Sequence, residues 1–197
     1  MKASPRGGSG SAAWSRRRFV GACLAASAGL TLTRVAEASL ARAISLETLV
    51  RTSHHVVFAT PVEASSRWEQ VAGRKRIVTY TRLLVSESLG AIAPEESELM
   101  VRTLGGQVGD IGQIVHGEAE LALNRPSVLF VGLASQGPLF IQAMSQGEYP
   151  TREHQGEPQL RLSPRLSEID ADARSAVRLL NERQLSAARK LIQEVSR

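Results

Sequence analysis

Cysteine is almost missing from this 197-residue chain, which holds one, Cys23. A single thiol closes no disulfide, so the fold must rest on its core alone. Histidine is scarce as well, with only His54, His55, His116 and His154. There is no H-E-x-x-H motif and no histidine pair at i, i+4, and His54 and His55 on a strand would point to opposite faces. No metal and no cofactor is therefore expected. The G-x-S-x-G elbow of serine hydrolases, the phosphate loop and the dinucleotide fingerprint are also absent. Aromatics make up 4% of the chain. No apolar run reaches the roughly 20 residues needed to cross a bilayer as a helix.

What the N-terminus does contain is ordered. Basic residues Lys2, Arg6 and Arg16 to Arg18 come first, followed by a mildly apolar stretch from Val20 to Thr33. Two small-residue sites follow, Ala36-Glu37-Ala38 and Ala41-Arg42-Ala43. That is the three-part layout of a secretory signal. Ser15, Arg16, Arg17 and Phe19 resemble the twin-arginine (Tat) export motif, with Val20 and Gly21 departing from its commonest residues. The resemblance implies export to the periplasm or beyond, the Tat translocase as a transient partner, and cleavage at Ala41/Ala43, since a structured pattern begins at Ile44. Val20-Gly21-Ala22-Cys23 resembles a lipid-attachment box, but the apolar run follows Cys23 instead of preceding it.

The domain reading is a signal peptide over 1–43, a β-barrel-like domain over 44–150, and a connector with a C-terminal helix over 151–197 packed on the same domain. Residues 1–43 carry seven of the 24 basic and one of the 19 acidic residues, leaving 17 and 18. A mature net charge of −1 removes the electrostatic case for a nucleic-acid partner. No transmembrane segment is expected after cleavage.

Hydropathy patterning predicts the elements. Ser45 caps a short helix with Leu46, Leu49 and Val50 on one face. Strands are expected at His55–Ala64, where Pro61 marks an edge or bulge, at Arg76–Leu89 after a basic hairpin tip (Arg74 to Arg76), at Glu98–Thr103, at Ser127–Ala134, apolar on both faces and so central, and at Pro138–Ser145. Thr151–Pro164 reads as a connector. Ser167 then caps a helix of about 28 residues with a stripe through Ala173, Val177, Leu180, Ala188, Leu191 and Val195, and pairs Asp170/Arg174 and Arg178/Glu182.

The sum is an α+β fold: a small antiparallel β-barrel or sheet with a long C-terminal helix. Over residues 54 to 146 the pattern resembles the oligonucleotide/oligosaccharide-binding (OB) barrel and, within it, the netrin-like module of metalloproteinase inhibitors. The inhibitors' cysteine chemistry has no counterpart here. Val101 to Gly106, Gly117 to Leu121 and Val128 to Val131 also resemble a family of exported bacterial proteins, a likeness that implies no activity.

Candidate functional residues lie in Gly105–Gly117. Gly106, Gly109 and Gly112 recur every third residue and can turn backbone N–H groups toward a ligand. Asp110, His116 and Glu118 are the candidates for a periplasmic hydrolase. Trp68, for which burial is the default, and Tyr80 are aromatics placed to stack against a sugar or base. The leading expectation is a non-catalytic binding module for a protein or glycan; a hydrolase and an extracellular protease inhibitor are the alternatives.

Overall fold

The computed structural model describes residues 41–135, 137–166 and 169–196. In chain order these form β1 (Ala41–Arg42), α1 (Leu46–Thr52), β2 (His55–Val71), β3 (Arg74–Ser88), β4 (Glu98–Leu104), β5 (Gly106–Val108), β6 (Ile111–Gln113), β7 (Ser127–Leu133), β8 (Leu139–Ile141), β9 (Glu148–His154), β10 (Glu157–Leu160), β11 (Ile169–Asp170), α2 (Ala176–Leu180) and α3 (Leu185–Val195). The predicted export residues Arg16, Arg17 and Phe19 lie outside the described residues. No described helix is long and apolar enough to cross a membrane.

The expected small antiparallel barrel is corrected to a seven-stranded mixed sheet, ordered β10-β9-β7-β2-β3-β4-β8 with a further pairing between β7 and β8. The odd junction is β4 to β8, which is parallel, with Val101 opposite Leu139. Because β8 also pairs antiparallel with β7, the pairings β2-β3-β4-β8-β7 and back to β2 close a five-strand circuit. β7 serves β8 and β9 on one edge: residues 131–133 face β8 and residues 127–129 face β9.

The two-sided apolarity of β7 follows from this position. Val128 and Phe130 join Val56, Tyr149, Leu160 and the buried faces of all three helices in one cluster. Leu129 and Val131 alternate to the other face and meet Val57, Ala59, Leu83, Leu99, Val101 and Ile141. All five strands of the circuit feed that second cluster, so it fills the circuit's interior. Full burial of each such side chain contributes about 1.5–3 kcal/mol.

The β2–β3 hairpin turns on Ala72 and Gly73, with φ of 49° and 74°, the paired positive dihedrals of a two-residue type I′ turn. Alanine pays about 1–2 kcal/mol for that conformation, and asparagine much less. Ala72→Asn should therefore raise the melting temperature by a few degrees, about 0.5–1 kcal/mol; an unchanged or lower value would contradict this turn geometry. Register shifts fall at Phe58/Ala59 and Pro61/Glu63, so Pro61 sits at a bulge, beyond the segment of β2 that β7 pairs.

α1 forms as its pattern dictates: the Ser45 hydroxyl accepts the Thr48 N–H at 3.1 Å, and Leu46, Leu49 and Val50 are buried. The C-terminal expectation changes. The supposed connector contains the β9–β10 hairpin, with residues 154 and 157 paired across the Gln155–Gly156 turn. The single 28-residue helix is instead β11, α2 and α3. Glu182 takes φ 60° between the helices, because Leu160 at the edge of β10 exchanges backbone hydrogen bonds with this break: Glu182 N–H to Leu160 O and Leu160 N–H to Arg183 O, each 2.8 Å. Glu182 pairs with Arg161 at 3.0 Å, not with Arg178, and Glu157 of β10 caps α3 by accepting the Ser186 N–H at 2.7 Å. Ala173 is exposed, whereas Ala176 and Leu185 take buried places.

Candidate functional site

Inside the circuit, the inward-facing side chains change from apolar to hydroxylated toward one end. On β3 the sequence runs Leu83, Thr81, Thr79; on β4 it runs Leu99, Val101, Thr103. At this end a cavity of about 460 Å³ opens, lined by these threonines, by Ala64 of β2, and by residues of the segment 104–121 that folds over it, with Arg165 at the side. Thr81 and Thr103 are buried.

The glycine segment forms a small β5–β6 hairpin, with 106 opposite 113, 107 opposite 112 and 108 opposite 111. Its backbone groups pair across that ladder and do not form an open anion cradle. Gly106 lies where a side chain would strike Thr79 and Ser66. Gly109 takes φ 58° at the tip, in open space, and Gly112 lines the cavity. The hairpin is pinned to the sheet by polar contacts: the Thr79 hydroxyl donates to Gly105 O at 2.7 Å, Ser66 and Thr79 hydroxyls lie 2.8 Å apart, and Gln113 Oε1 accepts the Ile77 N–H at 3.0 Å.

Of the three hydrolase candidates, only Glu118 lines the cavity. Asp110 is exposed at the tip of the hairpin and His116 is exposed beyond it. Among the described residues no three His, Asp, Glu or Cys side chains gather as a metal site. His54 and His55 do not diverge as expected, since His54 precedes the strand; their rings meet edge-on, with centroids 4.3 Å apart.

Burial raises the Glu118 pKa, while N–H groups of Leu104 and Ala119 and the charge of Arg102 pull it back. Sequence reasoning missed Glu148, a residue only 2% exposed. Its Oε2 accepts the Ser163 hydroxyl at 2.6 Å and the Glu120 N–H at 3.0 Å. Burial again raises its pKa, and Ser163 and Glu120 N–H oppose the rise. A glutamate followed by Tyr-Pro on a strand edge carries no motif, so only packing could find it. For both groups, only between the unfolded value of about 4.5 and the raised native value does the native state hold a proton that the unfolded chain has released; above that window both are carboxylates. Stability should accordingly fall as pH rises from about 4.5 through the raised native values. Glu148→Gln should flatten that slope in urea titrations between pH 4 and 8; an unaltered slope would overturn the assignment.

The predicted aromatics lie elsewhere. Trp68 is 37% exposed, not buried, and Lys75 lies 5.1 Å over its ring. Tyr80 is on the outer face of the sheet, covered by Arg67 at 4.3 Å. Its hydroxyl donates to Glu69 at 2.9 Å, which also pairs with Arg67 and Arg102. These bonds, Arg67 first and then Tyr80, hold the Glu69 pKa below the usual carboxylate range. The outer face is thus laced by its own ion pairs, extended by Arg82 with Glu63 and Glu98. Both rings carry a cation of the chain over them, Trp68 staying exposed, and neither lines the cavity. Ala41 and Arg42 pair parallel with Ile169 and Asp170, and the Ala43 N–H donates to Asp170 O at 2.9 Å.

Comparison of the chain with protein-family models, with curated proteins and with solved structures finds no match.

Proposed function

We propose that the protein is an exported, non-catalytic binding module that holds a short glycan segment at the threonine-lined mouth of an OB-type barrel. The cavity carries this reading. Its volume of about 460 Å³ lies in the range of small-molecule sites, of order 300–1,000 Å³, and barrel mouths are a favoured place for them. Threonine hydroxyls both donate and accept, which suits a ligand rich in hydroxyls. The order β2-β3-β4-β8-β7 with one parallel junction supports the OB comparison, a fold whose barrels recurrently bind oligosaccharides and oligonucleotides. The net charge of the mature chain favours the former. Tyr80 and Trp68 are left out, because their rings are engaged within the chain, and Asp110 and His116 are left out because they lie off the cavity.

Thr81→Val and Thr103→Val preserve shape and remove one hydroxyl each. Screening the full chain against an oligosaccharide array and then titrating the best ligand should show at least a tenfold loss in the double variant, with little change in melting temperature. Absence of any oligosaccharide binding at millimolar concentration would sink the reading.

Export is part of the same proposal. A cut after Ala43 would sever β1 from β11, whereas a cut after Ala38 keeps that pairing, so Ala38 is the favoured site here. Replacing Arg16 and Arg17 with lysine should retain the full-length protein in the cytoplasm; continued export would refute the Tat assignment, and N-terminal sequencing of the exported form decides between the two cuts.

A further inference from the structure

A second, smaller cavity of about 260 Å³ adjoins the first. Glu120 lines both, and beyond it the smaller one is lined by Arg125, Ser127, Glu148, Pro150 and Pro164 among others. We propose that this cavity is a binding site for a primary ammonium group, carried by the same ligand that occupies the threonine-lined mouth. The class of ligand is thereby narrowed to glycans with free amines, and in that respect the inference rests on the glycan reading above.

The argument starts from the Glu148 carboxyl. One oxygen is satisfied twice, by Ser163 and by the Glu120 N–H. The other, Oε1, has no hydrogen-bond partner among the described residues. Nor is it among the fully enclosed side-chain atoms left without a partner, which are on Ser88, Tyr149 and Arg189. Since Glu148 lines the cavity, Oε1 opens onto it. A carboxylate this deeply buried is costly unless a cation or donors complete its shell.

Among the described residues no cation completes it. Arg165 is engaged with Glu120. Arg125 is exposed and acts on Glu148 only through its field, forming no ion pair with it among the described residues. An ammonium group has three donors and no acceptor. Glu148 Oε1 takes one, the Ser127 hydroxyl oxygen can take another while its own proton goes to Arg125 O at 3.2 Å, and Glu120 or a water the third. An N-acetyl group offers a single N–H in place of three donors and no positive charge, and so leaves the buried carboxylate without a counter-charge.

The test has two arms on the full chain. Ethylammonium chloride, matched in ionic strength with sodium chloride, is titrated while backbone amide shifts are followed by NMR. Shifts confined to residues around Glu148, Ser127 and Ser163 are expected, and they should vanish in Glu148→Gln and weaken in Ser127→Ala. Thermal melts establish that both variants are folded. No ethylammonium-specific shift up to about 100 mM, or shifts that persist in folded Glu148→Gln, overturns the ammonium site. The second arm compares glucosamine, N-acetylglucosamine and glucose tetramers in calorimetric titrations. The amine tetramer should bind about tenfold tighter than the other two, and Glu148→Gln should abolish the preference while leaving the neutral tetramer's affinity. Equal affinity for all three overturns the inference and keeps the glycan reading. Ethylammonium shifts with no tetramer binding keep the ammonium site and sink the glycan reading. Calcium displacing ethylammonium at equal charge would assign the cavity to metal ions and overturn the proposal.

Discussion

Phe130→Ala is expected to cost about 3–5 kcal/mol, the range for removing a buried aromatic from a well-packed core. Phe130 is fully buried in β7, where it packs edge-on against Tyr149 with centroids 6.0 Å apart and planes at 70°. It lies in the cluster that also takes Leu46 and Leu49 of α1, Leu180 of α2 and Ile192 of α3. The ring thus anchors the helical layer to the sheet from one central position. Total stability of a domain this size is about 5–15 kcal/mol, so the variant should sit close to unfolding at 37 °C. Urea titration should show a much lower midpoint with an unchanged slope. Phe58, only partly buried against the same cluster, should cost clearly less on the same change. A loss below about 1 kcal/mol at Phe130 would mean that the helices do not pack where they are described.

Gly106→Ala is the second large effect, expected at about 2–4 kcal/mol. Gly106 has φ 126°, a region that side chains rarely enter and that costs about 1–3 kcal/mol when they do. Space is lacking too. A Cβ there would lie 2.3 Å from Thr79 Oγ1 and 2.4 Å from Ser66 Oγ, two hydroxyls already bonded to one another and, through Thr79, to Gly105 O. Overpacking adds about 1–3 kcal/mol, relieved in part if the hydroxyls rotate away. The β5–β6 hairpin should lift from the sheet and the cavity wall loosen, so ligand affinity should fall together with stability. Gly109→Ala is the control: its φ of 58° is strained for alanine but nothing lies within 4 Å, and about 1 kcal/mol is expected with no loss of affinity. Equal effects at the two glycines would refute the close-approach argument.

Legibility followed the range of the interactions. α1 could be read because its cap and its buried face lie within seven residues. β3, β4 and β7 could be read because alternation, or its absence in β7, records how many faces a strand buries. The single long C-terminal helix that the spacing predicts does not form, for the converse reason: the apolar spacing is helical through the break, and the pairing of Leu160 with residues 182 and 183 interrupts it. At the candidate site Glu118 was visible beside the glycine segment, while Thr79, Thr81 and Thr103 looked like ordinary strand residues. Their convergence depends on two strands and a crossover meeting at one end of the circuit.

Composition and local periodicity place the apolar strands and the short helix and make residues 44–197 nearly neutral, with 17 basic and 18 acidic side chains. The sequence also contains a Tat-like N-terminus, from which export is proposed. Tertiary contacts alone establish that β4 and β8 join in parallel, that β7 feeds two cores, that Tyr80 and Trp68 each carry a cation over the ring, and that Glu148 is buried and lines a cavity. Each of these joins residues tens of positions apart, and the free energy that selects them comes from packing and desolvation between segments, which no local pattern records.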